Sequence, residues 1–349
     1  MEMTDIIERY HDKFNIKYKG RITVQQRRAM SAVLDCRSAR YGSMKLACTA
    51  CDFHTINYHS CGNRACPRCQ HHDTSQWLDR QCEKLLPVEY FMVTFTLPAE
   101  LRPLVWHHQK KFYDLLIQCA RSTLSTFAKN DVRLGADIGM TMVLHSHTRR
   151  LDYHPHVHVI VPGVCVNRRR KQCTRLKGKY LYNEFNLATV FRARFLEAML
   201  ADGFSIPKEN PASWVVDCRH VGKGLSALKY LSRYLYRGVI SEKNILSDDG
   251  EQVTFGHVDG NTGEYKTRTV AGEEFLWLVF QHVLPKGFRR VRDIGFLNGN
   301  ARLTLKSIQR ALNVLLAKFT PRPRPVYKCK MCGEPLAIIG FVPPAWRSG

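Results

Sequence analysis

The sequence lacks any long hydrophobic run. No stretch of its 349 residues reaches the roughly 18 consecutive apolar residues that a membrane-spanning helix needs. Residues 1–12 carry acidic side chains and lack the apolar segment of a secretory signal peptide. We therefore expect the chain to work in the cytoplasm, where thiols stay reduced and its 13 cysteines need a use other than disulfide bonds.

Acidic residues are also few. Only 30 Asp and Glu stand against 53 Lys and Arg, which leaves a net charge of +23 and a pI near 9.7. A basic surface releases condensed counterions when it meets nucleic acid, so this charge favours a nucleic-acid partner. A soluble basic protein or a protein of anionic membranes would share the charge. The hydrophobic fraction of 44% and the chain length predict a globular protein of two or three domains.

Internal repeats are absent as well, and strand-like and helix-like segments alternate instead. Residues 90–97, 140–145 and 156–161 are short and rich in β-branched or apolar side chains, which predicts strands. Apolar residues at helical spacing predict a long, broken helix over 104–127 and another helix over 190–200. The expected fold class is α/β in the broad sense, of the α+β kind. We predict an antiparallel or mixed sheet with helices on one face.

Cysteines are concentrated near the N-terminus, where two Cys-x2-Cys pairs occur. A two-residue gap lets both thiolates face one ion, so the pairs are typical of a structural, tetrahedral zinc site. The candidate zinc ligands are Cys36, Cys48, Cys51, Cys61, Cys66 and Cys69.

The choice among these ligands stays open. The simplest set joins the two pairs, 48/51 and 66/69. Cys36 and Cys61 then remain, which allows either a different set or a second ion completed by a histidine such as His54 or His59. A further pair, Cys329 and Cys332, is either a partial metal site or a plain turn.

Three histidines alternate with other residues over 154–158, where the strand predicted over 156–161 begins. On a strand, the period of two points His154, His156 and His158 to one face and the intervening valines to the other. Because Pro155 cannot donate to a neighbouring strand, we expect the regular strand to begin at His156 and His154 to lie outside it.

Two adjacent imidazoles on a rigid strand can hold one metal ion. The alternative is a half-buried strand whose histidines face solvent, but the pair of His156 and His158 beside another histidine favours metal. His145 or His147 on the preceding strand could supply a third ligand, and we choose His145. A metal with so few protein ligands keeps open positions that can polarise a phosphate oxygen.

Residues 224–238 read as a helix bounded by glycines. Four leucines form one stripe, and Tyr230 and Tyr234 lie on a different face together with Arg237. Helical tyrosines are usually packing residues, but here the leucine stripe already supplies the buried face. A tyrosine on this helix could attack a metal-bound phosphate and form a covalent ester.

These motifs occur in an order that resembles a known family. Residues 60–70, 144–145, 154–158, 230–234 and 282–290 together resemble the zinc-binding, rolling-circle-type insertion-sequence transposases of the His-hydrophobic-His (HUH) endonuclease superfamily. The segments span most of the chain.

The resemblance implies a chemistry. It implies an RRM-like antiparallel palm sheet, single-stranded DNA at transposon ends and in the target as substrate, and Mg²⁺ or Mn²⁺ at His156 and His158. Cleavage would give a 5′-phosphotyrosine and a free 3′-hydroxyl, which can attack a second phosphotyrosine to exchange strands. Members differ in whether one or both tyrosines act, and Tyr234 is the favoured nucleophile with Tyr230 as its partner. In a prokaryote such a protein would be nucleoid-associated when bound to DNA.

The resemblance also suggests a domain organisation. We predict an N-terminal helix and zinc-binding, DNA-binding module over 1–86 and an HUH endonuclease domain with the tyrosine helix over 87–245. A basic region over 246–349 would complete the catalytic domain and contact DNA. Basic residues are expected to attract DNA phosphates. They are Arg168, Arg169, Arg170, Lys171, Arg237, Lys286, Arg289 and Arg290.

Two alternatives remain open at this point. A rolling-circle replication initiator or relaxase would share the metal strand and the tyrosine. A non-catalytic zinc-finger protein would bind nucleic acid without needing the histidines.

Overall fold

The structure is a computed structural model. It describes residues 1–69, 71–167, 169–170, 172–235, 238–260, 262–314 and 326–345, apart from the side chains of residues 71–73 and 233–235. The helices are α1 (Met3–Lys17), α2 (Val24–Leu34), α3 (His71–Cys82), α4 (Arg102–His107), α5 (Gln109–Asn130), α6 (Glu184–Ala201), α7 (Leu225–Leu235), α8 (Gly272–Phe280) and α9 (Arg302–Ala311). Among the described residues, no helix is both long enough and apolar enough to cross a membrane.

The strands form four antiparallel sheets within the described residues. They are β1 (Ser43–Cys48), β2 (His54–Tyr58), β3 (Tyr90–Thr96), β4 (Asp137–Ile138), β5 (Met140–His147), β6 (Tyr153–Pro162), β7 (Val164–Asn167), β8 (Gln172–Arg175), β9 (Val216–His220), β10 (Ile245–Asp248), β11 (Gln252–Val258), β12 (Tyr265–Ala271), β13 (Val291–Ile294) and β14 (Leu336–Val342). The sheet orders are β13-β5-β6-β3-β9, β14-β1-β2, β10-β11-β12 and β4-β7-β8. The α+β class predicted from the sequence is confirmed.

The five-stranded sheet carries the histidines, and the pairing of its strands decides which side chains meet. In the antiparallel register of β5 and β6, His145 lies opposite His156. In the register of β3 and β6, Thr94 lies opposite His158. Residues distant in sequence therefore come within side-chain reach on one face of the sheet.

One face of this sheet is mainly apolar. Val157, Val159 and Val161 of β6 are each at most 1% exposed and pack with α5 and α6 in one hydrophobic core. This burial confirms the predicted alternation, in which the valines of the strand point to one face and the histidines to the other. The burial of the valines therefore directs the histidines to the opposite face.

The opposite face is covered by helices too, so the expectation of helices on one face only was wrong. Val143 and Ile160 are apolar on this face as well, and they need a second hydrophobic layer. Side chains from α3, α7 and α9 supply that layer. The face is thus divided into an apolar half beneath the helices and a polar half that carries the histidines.

The strand β6 also begins earlier than predicted. It starts at Tyr153, so His154 and Pro155 lie inside it. The register between β5 and β6 shifts between His145 and His147, and this irregularity accommodates a residue that has no N–H to donate. The carbonyl of Pro155 still accepts a hydrogen bond from the Leu97 N–H at 3.2 Å.

The N-terminal and C-terminal parts of the chain are packed together. Helix α1 and the cysteine-rich loop share a hydrophobic core with α8 and β11, and β14 pairs with β1. The domain boundaries near residues 86 and 245 stay predictions, but buried contacts cross both of them. The structure has two helices before the cysteine-rich loop where one was predicted, and in the additional helix, α1, Ile6, Tyr10 and Phe14 recur at helical spacing and are fully buried.

Candidate active site and cysteine sites

Three histidines meet on the polar half of the central sheet. One ring nitrogen from each of His145, His156 and His158 lies within 4.8 Å of the others, a grouping that can hold a metal ion. His145 and His158 are 5% and 7% exposed, and their ring centroids are 4.5 Å apart. His147, the other candidate third ligand, lies with its ring 6.2 Å from that of His145 and 5.1 Å from that of His282.

Hydrogen bonds to the outer ring nitrogens orient two of the three imidazoles. The Nδ1–H of His156 donates to the carbonyl oxygen of His154 at 2.7 Å, which leaves Nε2 as the nitrogen with a lone pair. Nδ1 of His158 lies 2.8 Å from the hydroxyl of Thr94. Such outer contacts hold metal-binding histidines in position. Thr94 was not predicted from the sequence, because its contact with His158 depends on how β3 pairs with β6.

The three imidazoles are neutral in the folded protein. Burial lowers the pKa of His158 to about 4. Burial also lowers the pKa of His145 and His156 well below the ordinary value, and the charge of His158 adds to this effect at both. A neutral imidazole carries the lone pair that a metal requires, so no proton has to be displaced near neutral pH.

Helix α7 brings a tyrosine to this site. The ring of Tyr230 lies 6.1 Å from the ring of His158 and perpendicular to it. Leu228 and Leu231 are 3% and 0% exposed and bury the helix against the sheet, as predicted for these two leucines of the stripe. The first leucine of the stripe, by contrast, is 41% exposed. Tyr234 follows one helical turn later, and its side chain lies outside the described residues.

An open cleft of about 700 Å³ contains these groups. The central sheet contributes the histidines, Thr94 and Thr96 to its walls. Helix α7 contributes Tyr230, and β11 contributes Gly256 and His257. This volume lies within the range of ligand-binding clefts.

Four cysteines form a buried cluster. The Sγ atom of Cys69 lies 3.4 Å from that of Cys36 and 3.5 Å from that of Cys61, and Cys66 lies 3.6 Å from Cys36. S–H donation from Cys36, Cys61 and Cys66 lowers the pKa of the Cys69 thiol, so one thiolate is already favoured. Four sulfurs at these separations suit a closed, structural zinc site.

Four other cysteines form a second cluster at the surface. Cys48 and Cys51 lie together with Cys329 and Cys332. In the structure, the pairs 48/51 and 66/69 therefore belong to different clusters. The simplest ligand set considered from the sequence joins these two pairs in one site and differs from this grouping. Neither His54 nor His59 belongs to a metal-type cluster among the described residues.

The cysteine-rich loop contacts the segment that follows the tyrosine helix. A Cβ atom on Gly238 would lie 2.7 Å from the carbonyl oxygen of Ala65, so only glycine fits at this contact. Ala65 lies directly before Cys66. The loop that carries the cysteines thus supports the segment that follows α7.

The predicted basic contacts have different surroundings. Arg169 and Arg170 lie on an exposed turn between β7 and β8, and Lys286 and Arg289 are also exposed. Arg290 is half-buried, and its burial together with the charge of Arg64 lowers its pKa to about 10. Arg168, Lys171 and Arg237 lie outside the described residues.

A second cleft, of about 350 Å³, adjoins the first. Val239 lines both, and no acidic side chain lines the second among the described residues. Its basic lining residues are Arg28, Arg64, Lys286 and Arg290. Arg28 and Arg64 were not predicted, because their proximity to the site depends on the packing of α2 and the cysteine loop.

Comparisons with known proteins agree with the sites described above. A family model described as "Putative transposase" matches residues 139–304, and one described as "Transposase zinc-binding domain" matches residues 6–97. "Putative transposase y4qJ" of Sinorhizobium fredii is 32% identical over 324 residues, which cover 86% of this chain and 81% of that protein. The "Transposase for insertion sequence element IS801" of Pseudomonas savastanoi pv. phaseolicola is 27% identical over 348 residues, which cover 90% of this chain and 83% of that protein.

The fold and the cysteine clusters define a zinc-binding α+β protein with a histidine-lined cleft. With these relatives, the chain belongs to the family of zinc-binding, rolling-circle-type insertion-sequence transposases. It is therefore a DNA-processing enzyme of transposition. The family match argues against a replication initiator or a non-catalytic zinc-finger protein.

Proposed function

We propose that this transposase cleaves and rejoins single-stranded DNA at the ends of its insertion sequence through a 5′-phosphotyrosine intermediate. One observation carries the proposal. Three neutral imidazoles lie within metal-binding reach of one another, and a tyrosine on the covering helix stands 6.1 Å, ring to ring, from His158. A nucleophile beside a site for a phosphate-polarising ion is the arrangement that phosphodiester cleavage needs.

His145, His156 and His158 would hold a divalent ion. The donor set fits, because three neutral nitrogens occupy only part of a coordination sphere and leave positions for water and phosphate oxygens. Mg²⁺ or Mn²⁺ at this site would polarise the scissile phosphate and stabilise the developing negative charge. Thr94 and the carbonyl of His154 would keep two of the imidazoles in the orientation that ligation requires.

The tyrosines of α7 would perform the covalent step. The phenol oxygen forms a bond to phosphorus, the bond from phosphorus to the 3′-oxygen breaks, the phenol proton passes to solvent and the 3′-oxygen takes up a proton. A 3′-hydroxyl from another strand then attacks the phosphotyrosine and reverses these changes. The ester conserves the energy of the broken bond, so rejoining needs no ATP. Tyr234, the nucleophile that the sequence favoured, and Tyr230 are both candidates.

The second cleft would bind phosphates next to the scissile one. Arg64 and Arg290 are close enough for the charge of Arg64 to lower the pKa of Arg290, and an anion between such groups would relieve their repulsion. Because Val239 lines both clefts, a DNA strand could pass from one to the other. Backbone contacts of this kind position a strand without reading its sequence. In the cell we expect the protein in the cytoplasm, on the nucleoid when it is bound to DNA.

A denaturing gel tests the covalent step. Single-stranded oligonucleotides that span each end of the encoding element are labelled at the 3′ end, since the fragment retained on tyrosine carries the 5′-phosphate. With Mn²⁺ we expect a labelled band that migrates with the protein and disappears in the double variant Tyr230→Phe/Tyr234→Phe. The two single variants show which tyrosine acts.

Two controls separate this reading from others. Tyr265→Phe, an exposed tyrosine of β12, should leave the labelled band unchanged. Addition of a second, pre-cleaved end should yield a joined strand, which distinguishes a transposase from a simple nicking enzyme. A labelled band of full intensity in the double tyrosine variant would disprove the proposed nucleophile.

A further inference from the structure

The surface cysteine cluster joins the two ends of the chain. Cys48 and Cys51 lie where β1 ends and the turn to β2 begins, whereas Cys329 and Cys332 lie just before β14. The second pair lies outside both of the ranges that match family models, 6–97 and 139–304. The matches to the family models therefore do not include these two cysteines.

The distances between the sulfurs suit one tetrahedral ion. Sγ of Cys48 lies 3.4 Å from Sγ of Cys332, and Sγ of Cys51 lies 3.7 Å from those of Cys329 and Cys332. With Zn–S bonds of about 2.3 Å, the sulfurs of a tetrahedral site are roughly 3.8 Å apart. The buried cluster shows nearly the same separations, from 3.4 to 3.6 Å.

The backbone around both pairs is shaped for metal-bound thiolates. The N–H of Ala50 donates to Sγ of Cys48 at 3.4 Å, and the N–H of Met331 donates to Sγ of Cys329 at 3.3 Å. In each turn, the backbone N–H two residues after the first cysteine thus donates a hydrogen bond to the sulfur of that cysteine. Gly333, with φ of +80°, completes the second turn, and its N–H donates to the carbonyl of Cys329 at 3.0 Å.

Strand pairing brings the two pairs to this distance. Strand β14 runs antiparallel to β1 over the whole length of β1, from the pair Ser43 and Val342 to the pair Cys48 and Leu336. The hydroxyl and the N–H of Thr49 both donate to the carbonyl of Pro335. The two turns are therefore fixed face to face at one end of a three-stranded sheet.

We propose that Cys48, Cys51, Cys329 and Cys332 bind a second structural zinc ion. This ion fastens the C-terminal segment to the N-terminal module by linking residues that are 278 positions apart in the chain. The protein then holds two zinc ions per chain, one buried and local in sequence, the other exposed and long-range.

Native mass spectrometry of the full-length protein tests the site by counting zinc. Wild type should carry two zinc ions, and the double variant Cys329→Ser/Cys332→Ser should carry one. The matched control is Cys173→Ser, which removes a partly buried thiol of β8 that belongs to neither cluster. It should keep both ions. One zinc ion in wild type, or two in the double variant, would overturn the proposal.

A second measurement needs no substitution and so does not depend on the folding of a variant. Of the four thiols in the surface cluster, one is exposed, two are partly exposed and one is buried, whereas three of the four in the other cluster are at most 5% exposed. A chelator that reports free zinc by its colour should therefore release one equivalent quickly and a second slowly. The fast step should make the C-terminal segment sensitive to limited proteolysis. Release of a single equivalent, or a fast step that leaves this segment protected, would contradict the assignment.

Discussion

The histidine site and the buried cysteine cluster are built from similar materials but differ in what surrounds them. Both bring metal-type ligands within a few ångströms of one another. The cysteine cluster has four sulfurs inside a hydrophobic core, and Cys66 is fully buried. The histidine site has three nitrogens at the floor of an open cleft beside Tyr230.

The difference shows that the number of protein ligands distinguishes a structural metal site from a catalytic one. Four thiolates complete a tetrahedral zinc ion and leave no position for a substrate. Three imidazoles leave positions that a phosphate can occupy. We therefore expect loss of a histidine to affect the reaction and loss of a cysteine to affect the fold.

The largest expected effect follows removal of a histidine ligand. His156→Ala should reduce cleavage of single-stranded DNA about a thousandfold, because charge stabilisation by a metal contributes several kcal/mol to such reactions. Zinc content and melting temperature should stay close to wild type. Cleavage rates with Mn²⁺ provide the measurement, and His107→Ala, an exposed histidine of α4, is the control. Wild-type rates in His156→Ala would remove the distinction between the two kinds of site.

Removal of a buried cysteine should act in the opposite way. Cys66→Ser should lose one zinc ion and at least about 3 kcal/mol of stability, because structural zinc contributes directly to the free energy of folding. Cys48→Ser, in the exposed cluster, should cost less, since less of the core depends on it. Urea unfolding and zinc content measure both effects. Equal losses in the two variants would show that the clusters contribute alike.

A smaller effect is expected from the hydroxyl that contacts His158. Thr94→Val keeps the shape of the side chain and removes the contact of 2.8 Å to Nδ1. Loss of such an outer contact typically lowers metal affinity 10- to 100-fold. Titration of Mn²⁺ against cleavage rate measures it. Thr123→Val is the matched control, because Thr123 is fully buried on α5 away from the cleft. An unchanged Mn²⁺ requirement in Thr94→Val would assign the hydroxyl no part in ligand orientation.

The smallest effect concerns a histidine that supports the cleft wall without joining the metal group. His282 is buried, its Nε2–H donates to the carbonyl of Leu151 at 2.9 Å, and burial lowers its pKa to about 4. The unfolded chain, with a histidine pKa of about 6.5, then binds more protons than the folded protein between these values. Stability therefore falls as the pH drops from about 6.5 to about 4, and His282 accounts for about 2 kcal/mol of this loss at pH 5.

The variant His282→Gln isolates this pH-dependent contribution to stability, since the glutamine amide can still donate a hydrogen bond to the carbonyl of Leu151. Its stability should decline less than that of wild type between pH 7 and pH 5, by about 2 kcal/mol. Urea unfolding at the two pH values measures the difference. Parallel curves for the two proteins would mean that His282 is not held neutral by burial.

The central strands and the histidine face could be predicted from the sequence, because they depend on local periodicity. Alternation of histidine and valine in β6 indicated which side chains share a face, and leucine spacing indicated the buried side of α7. Thr23 and Gln26 are likewise a local signal, since they form a capping box at the start of α2 in which both hydrogen bonds are present.

Features that depend on long-range pairing could not be predicted. The predicted start of β6 was wrong, because the shift in register that accommodates Pro155 arises from the pairing of β6 with β5. The grouping of the cysteines stayed open as well, and the simplest set differs from that of the structure, since β14 returns to β1 from the far end of the chain. Strand β14 carries an ordinary apolar sequence that says nothing of its partner.

Peptide mapping of the protein–DNA adduct tests the central claim most directly. Wild-type protein is incubated with single-stranded end DNA and Mn²⁺, digested with protease and nuclease, and the peptide that retains a nucleotide is sequenced by mass spectrometry. We predict a nucleotide attached through phosphate to a tyrosine of the α7 peptide, at Tyr234 or Tyr230, and none when Mn²⁺ is omitted. A nucleotide on a residue outside α7, or an adduct that forms equally well without a divalent ion, would contradict the account.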